Sequence, residues 1–208
     1  MSNTVCDLSF SISNGIVPLD HGYILYSALS NIIPEIHFTK TIGVHPFSGK
    51  KITNSKLLLT NTSKLKFRCK FDDIKLLSDF SGRIIKINDC EFRLGNAVVN
   101  ILNPSASLFS RKVVITIPNL EKEIKDFDQF IKTYKQSIVK QLDNLNIKYD
   151  LNMLGRQRIY IKDKVILGFS IEVNNLSNSD SIILQENGIG GRHKMGCGIF
   201  KFSKKDNK

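Results

Sequence analysis

Between Leu120 and Leu145 eight apolar residues (Leu120, Ile124, Phe127, Ile131, Tyr134, Ile138, Leu142 and Leu145) recur in steps of three and four. That is the period of an α-helix, and it predicts a long helix with one buried stripe and a solvated face of Lys and Asp. Such a helix must lay its stripe on a partner layer. The flanking sequence supplies one. Leu108 to Ile117 reads as a strand, with Val113, Ile115 and Ile117 on one side. Beyond the helix, Arg156, Arg158, Tyr160 and Lys162 share a strand face opposite Ile159 and Ile161. Lys162-Asp163-Lys164 turns the chain, and Val165, Leu167, Phe169, Ile171 and Val173 form the buried side of the return strand. A short helix through Gln185, a glycine-rich loop and a last strand from Gly198 to Ser203 complete this half. Lys204 to Lys208 reads as a frayed polar tail.

The first half follows the same plan. In Val5 to Ser13, Cys6, Leu8, Phe10 and Ile12 alternate with Asp7, Ser9 and Ser11, so the apolar set is expected inside. Asp20 reads as the N-cap of a helix running to about Ile33, which Pro34 ends. Leu65, Phe67, Cys69 and Phe71 oppose Lys64, Lys66, Arg68 and Lys70, the pattern of a half-buried strand with a solvated basic face. Asp72-Asp73 starts a short helix. Arg83 to Ile87 and Cys90 to about Leu102 are strands joined at Asn88-Asp89, and Asn103-Pro104-Ser105-Ala106-Ser107 is the best linker. The expectation is an α+β chain of two tandem ferredoxin-like (βαββαβ, RRM-like) domains, 1–104 and 105–208, with a Gly-rich loop before the last strand. That plan hosts many activities, and the aromatic-rich motif of its commonest RNA-binding version is absent.

Charge narrows the partner. Thirty Lys and Arg against nineteen Asp and Glu leave a formal +11, which fits a polyanion, most simply nucleic acid. The loop Gly188-Ile-Gly-Gly-Arg-His-Lys-Met-Gly-Cys-Gly198 holds five glycines. Exposed backbone N–H groups there, beside Arg192, His193 and Lys194, would suit a phosphodiester. It is not a P-loop, because no Ser or Thr follows the lysine. Nor does it open a helix as a dinucleotide fingerprint should. The four cysteines form no C-x-x-C pair, which argues against disulfide frameworks and zinc and fits a reducing cytosol. With no apolar run of membrane-spanning length and no signal segment, a soluble cytoplasmic protein with no membrane partner is expected. His37 and His45 have only Glu35 as a nearby carboxylate, so no metal site is expected, and no cofactor is called for.

Several segments resemble one family. Leu8-Ser9-Phe10-Ser11-Ile12, Val17-Pro18-Leu19-Asp20-His21-Gly22-Tyr23, Leu25-Tyr26-Ser27-Ala28-Leu29, Pro34-Glu35-Ile36-His37 and Gly43-Val44-His45-Pro46 are similar to the CRISPR-associated repeat-RNA processing endoribonucleases of the RAMP superfamily, in the MYXAN subtype (type I). The Gly-Gly-Arg-His-Lys-Met-Gly-Cys-Gly-Ile-Phe run resembles that subtype's C-terminal signature. The resemblance covers both ends of the chain; between Lys56 and Asn187 only the order of elements fits.

The resemblance implies a metal-independent endoribonuclease acting on CRISPR precursor transcripts. A ribose 2′-OH attacks the adjacent phosphate within the repeat. The ends are a 2′,3′-cyclic phosphate and a 5′-OH, and the enzyme keeps the mature guide RNA. The reaction needs a base, an acid and cations for the phosphorane, and histidine suits the first two. Relatives place an acid/base histidine just after the first helix, which carries that role to His37. His45 is the partner catalyst or the replacement, and its alternative is a loop histidine held before Pro46. Lys40, Lys50 and Lys51 are the nearby cations, of which Lys51 is carried forward with the two histidines. A tyrosine is expected near the histidine; the first helix offers Tyr26, while Ser30 stands where the family tyrosine would fall. His21 favours a structural role. For RNA binding the resemblance singles out Gly188, Gly190, Gly191, Arg192, His193, Lys194 and Gly196 of the loop, and Arg156, Arg158, Lys162 and Lys164 of the hairpin. The implied partners are a CRISPR repeat RNA stem-loop and other subunits of a type I interference complex. The alternatives are a non-catalytic subunit that only holds the RNA hairpin, and a general RNA-binding protein of the same fold.

Overall fold

The structure is a computed structural model that describes residues 4–116 and 127–203. The expectations placed on Ile117, Leu120, Ile124 and the tail from Lys204 lie outside these residues. The chain divides into two compact units, Met1–Leu102 with His193–Gly196, and Asn103–Arg192 with Cys197–Lys208.

The first unit is built on β1 (Val5–Ile12), which pairs antiparallel with β6 (Lys64–Lys70) and with β8 (Cys90–Ile101). β3 (Gly43–Val44) extends the β6 edge and β7 (Ile84–Ile87) the β8 edge, giving the order β3-β6-β1-β8-β7. The helices α1 (Gly22–Ile32) and α2 (Ile74–Ser78) bury Leu25, Leu29 and Leu77 with Leu8, Phe10, Phe67 and Phe92 from the sheet. Fully burying a side chain such as Leu29 contributes about 1.5–3 kcal/mol. A second, three-stranded sheet, β2 (Gly15–Pro18), β5 (Lys56–Leu59) and β4 (Lys50–Lys51), pairs in the order β2-β5-β4.

Two sequence expectations change here. α1 starts at Gly22 with His21 in the cap position and no side-chain cap, so Asp20 is not its N-cap. Gly22 packs where a Cβ would meet the Met195 carbonyl, so close backbone approach sets this helix start. The polar side of β1 and the basic side of β6 are not fully solvated either. Asp7, Ser9 and Arg68 are buried, and Arg68 donates from Nε to Asp7 Oδ1 (2.9 Å) and from Nη2 to Oδ2 (3.2 Å).

The second unit carries β9 (Leu108–Val113), α3 (Phe127–Asp143), β10 (Asp150–Ile161), β11 (Lys164–Asn174), α4 (Asn178–Asn187) and β12 (Lys201–Phe202). Its antiparallel sheet has the order β10-β11-β9-β12. The described part of the apolar stripe is buried at Tyr134, Ile138 and Leu142, against Phe169, Ile171 and Val173. The Tyr134 hydroxyl donates to the Val113 carbonyl and accepts the Ile115 N–H, so its burial leaves no polar atom unmet. Ser177 caps α4 by accepting the Asp180 N–H.

A register shift between Met153 and Arg156 alters the hairpin face. Arg156, Arg158 and Tyr160 lie opposite Phe169, Leu167 and Val165, so basic and apolar residues share one face. Val165 is 58% exposed near the turn, not buried as the alternation suggested.

Candidate active site

The segment after α1 is organised by short-range bonds. Pro34–His37 forms a 3₁₀ turn, in which proline at the first position suits a helix start. The N–H groups of Phe38 and Thr39 and the Thr39 hydroxyl all donate to the Glu35 carbonyl. This turn leaves Ile36 in the core and His37 and Phe38 in solvent.

Two groups converge on His37. Tyr26, from the middle of α1, places its hydroxyl 2.5 Å from His37 Nδ1, with the rings edge to face at 5.2 Å. Lys194, from the 3₁₀ turn His193–Met195 that belongs to the first unit, donates from Nζ to the His37 carbonyl at 2.8 Å. Partial burial lowers the Lys194 pKa, which makes its ammonium a better proton donor. A hydroxyl donates and accepts, so Tyr26 can meet Nδ1 in either neutral tautomer and in the imidazolium. Nε2 is then left to take or give a proton. The arrangement has the parts of an acid/base centre beside a cation.

The sequence offers Tyr26 in the first helix, while Ser30 holds the position expected for the family tyrosine. Ser30 is buried, and its hydroxyl donates to the Tyr26 carbonyl. Lys194 was grouped with the RNA-binding loop, and nothing in its local sequence points to His37, 157 residues away in the chain.

His45 and His21 have inward partners. His45 is 7% exposed, with Nε2 3.2 Å from Asp7 Oδ1. Burial pushes its pKa down to about 4, while the Asp7 bond opposes that shift. Burial alone would raise the Asp7 carboxyl, but the His45 bond, with the His45 and Arg68 charges, holds it well below the usual carboxylate range. His21 is buried, with Nδ1 2.9 Å from the Pro18 carbonyl and Nε2 accepting the Phe47 N–H at 2.8 Å. An imidazole accepting at Nε2 must carry its proton on Nδ1, so both ring nitrogens tie loops together. Lys51 is exposed on β4, in the small sheet.

The Gly-rich loop differs from the expected phosphate cradle. The N–H groups of Gly188, Ile189, Gly191, Gly196, Cys197 and Gly198 donate to backbone carbonyls, and that of Gly190 donates to Gln141 Oε1 at 2.7 Å. These donors are spent inside the protein, so they are not the exposed set that a phosphodiester would need. At Gly190 φ is +75° and a Cβ would run into the Val114 carbonyl, so glycine here serves packing. Arg192 is exposed, with φ +63°. On the hairpin, Arg156, Arg158, Lys162 and Lys164 are all exposed, Lys162 at the turn with φ +51°. Among the described residues no group of three or more His, Cys, Asp or Glu could hold a metal ion, and no helix is long and apolar enough to cross a membrane.

Comparison with known proteins decides the family. The family model described as Cas6 Crispr matches residues 6–205. The chain belongs to the Cas6 family. The CRISPR-associated endonuclease Cas6 of Myxococcus xanthus (strain DK1622) is 32% identical over 195 residues, covering 93% of this chain and 80% of that one. Among solved structures, a CRISPR-associated protein Cas6 aligns with a TM-score of 0.64 at 15% identity, over 96% of this chain and all of that one. A RAMP protein described as binding different RNA substrates aligns with a TM-score of 0.66 at 15% identity, over the same shares. The α+β fold is thus that of Cas6 and RAMP structures, and the chain is a Cas6-family CRISPR RNA processing endonuclease.

Proposed function

We propose that this Cas6 endonuclease cuts CRISPR precursor transcripts within the repeat by attack of a ribose 2′-OH, without a metal, and retains the product. The observation that carries this reading is the exposed His37 imidazole with Tyr26 on Nδ1 and Lys194 on its carbonyl. His37 moves the proton at the attacking or leaving oxygen, Tyr26 holds the ring, and Lys194 offsets charge on the phosphorane. His45 is a structural residue: its ring is turned to Asp7 in a buried ion-pair cluster. Lys51 is exposed on β4 of the small sheet and takes no step here.

The strand orders support reading each unit as ferredoxin-like, dividing near residue 104 apart from His193–Gly196. In both, the first strand lies between the third and fourth strands of a βαββαβ series, and the second strand is at the edge. The exposed Arg156, Arg158, Lys162 and Lys164 and the exposed Arg192 support a repeat stem-loop as the RNA partner. Product retention would suit a place beside other subunits of a type I interference complex.

The test is incubation of the purified protein with labelled repeat RNA in EDTA. One cut leaving a 2′,3′-cyclic phosphate and a 5′-OH is expected. Tight binding with no cut would instead make the chain a hairpin-holding subunit, and equal binding of unrelated hairpins would overturn repeat recognition.

A further inference from the structure

We propose that Phe38 is a stacking platform for the nucleobase beside the scissile phosphate, and so a positioning residue for cleavage. The inference rests on the reading of His37 given above. Phe38 is 83% exposed, more than any other large apolar side chain among the described residues. A lone exposed phenyl needs no explanation by itself. Its position and its anchoring do. The ring lies against His37, with centroids 6.5 Å apart and planes at 64°. Its backbone is pinned: the Phe38 N–H donates to the Glu35 carbonyl at 3.0 Å, and Thr39 bonds the same carbonyl through both N–H and hydroxyl. The preceding carbonyl is held by Lys194. The phenyl is therefore presented to solvent from a fixed turn, with Lys194 bonded to the preceding carbonyl and the exposed Lys40 two residues on in the chain.

An aromatic face flanked by cations is how proteins hold single-stranded bases without reading their edges. A phosphate within reach of His37 Nε2 brings its two flanking nucleosides into the same neighbourhood. One of those bases, unstacked onto Phe38, would fix the sugar and hold the 2′-OH in line with the phosphorus–oxygen bond that breaks. Such a platform improves the rate more than the ground-state affinity, because most of the RNA contact lies elsewhere.

The chain has no tryptophan, so Phe38→Trp adds a single reporter. The probe is a repeat RNA with 2′-deoxyribose at the attacking nucleotide and 2-aminopurine on one or the other side of the scissile phosphate. With the wild type and Phe38→Trp, quenching of 2-aminopurine is expected at one of the two positions, with matching quenching of the tryptophan. With Phe38→Ala it should be lost. On cleavable RNA, Phe38→Ala and Phe38→Leu should slow single-turnover cleavage about 10- to 100-fold. Phe38→Tyr and Phe38→Trp should restore the rate, and an abasic nucleotide at the stacked position should remove the penalty of Phe38→Ala. Full rate in Phe38→Ala, rescue by Leu as complete as by Tyr, or a penalty unchanged on abasic RNA would each overturn the proposal. His37→Ala separates the two readings. If it still cuts, the site assignment itself fails; if it is inactive while Phe38→Ala is fast, only the platform fails.

Discussion

β1 lies between β6 and β8, and β9 lies between β11 and β12. The order is shared, but the second strand differs sharply. In the first unit it is β3, two residues long; in the second it is β10, twelve residues long. A short second strand leaves residues 34 to 42 without a sheet ladder. They are held instead by the Glu35 carbonyl and the Lys194 ammonium, and they present His37. A long second strand is paired with β11 almost to its tip and presents Arg156 and Arg158 from the ladder beyond its register shift. An imidazole that transfers a proton needs placement within fractions of an ångström, which local bonds to one turn provide. Cations that neutralise phosphates need reach and tolerate imprecision, which a hairpin provides. On the proposed reading, cutting falls to the first unit and holding to the second.

His37→Ala tests that division with the largest effect. Single-turnover cleavage should fall about 10²- to 10⁴-fold, the usual worth of an acid/base group. Affinity for repeat RNA, measured by filter binding, should change less than about two-fold, since one exposed imidazole adds little to a surface this basic. Equal losses in rate and affinity would break the comparison at its centre.

The next effect is on stability, and it belongs to the first unit. Folding holds His45 neutral with a pKa of about 4, against an ordinary value near 6.5. A base whose folded pKa is depressed gives stability that is fully present above about pH 6.5 and is lost as pH falls toward 4. The span corresponds to about 3 kcal/mol. Asp7, also depressed, continues the loss below about pH 4. Urea melts at pH 7, 5.5 and 4 should show this decline in the wild type. His45→Gln keeps a donor toward Asp7 without a titrating ring, so its curve should be flatter over that range. A wild-type slope retained in His45→Gln would remove His45 as the acid-sensitive group.

The same elements show what sequence could and could not reveal. Period alone located β1, β6, α3 and the β10–β11 hairpin, because each buries a repeating apolar set. Lys56 to Thr60 reads as a strand and is β5, but its pairing with β2 and β4 leaves no signal, since those strands run only four and two residues. Charge patterning misread Arg68, because a cation at an alternating position looks solvated until its partner strand brings Asp7 alongside. His37 came from family resemblance and from its place after a helix. The Tyr26 contact spans eleven residues across a helix end and the Lys194 contact spans 157, and neither leaves a local signal. The glycines were legible as a loop, but not the acceptors that occupy its N–H groups, such as Gln141 on α3.

Holding can be probed on the hairpin. Arg156 lies over the Phe127 ring at 4.9 Å, so its removal would mix packing with binding. Arg158 and Lys162 are cleaner targets. Arg158→Ala with Lys162→Ala should weaken repeat binding roughly ten- to thirty-fold near physiological salt and make the log–log salt slope less negative by about 1.4 to 1.8, two phosphates' worth. Cleavage at saturating enzyme should be unchanged. A lower saturated rate would mean that the second unit also takes part in the chemistry.

The smallest effects come from the loop, whose residues divide between the units. Arg192 belongs to the second unit and Lys194 to the first. If the division of labour follows the units, two neighbouring cations should fail differently. Arg192→Ala should lower affinity about three-fold with the saturated rate intact, as for a single exposed phosphate contact. Lys194→Ala should slow the saturated rate about five- to ten-fold with little change in affinity, since its ammonium sits on the His37 carbonyl. Lys194→Arg sharpens the point. It keeps the charge but replaces a compact ammonium with a planar fork that cannot meet one carbonyl in the same geometry. Restored rate in Lys194→Arg would show that charge near the phosphate is enough. A rate as low as that of Lys194→Ala would show that the lysine acts by fixing the turn that carries His37.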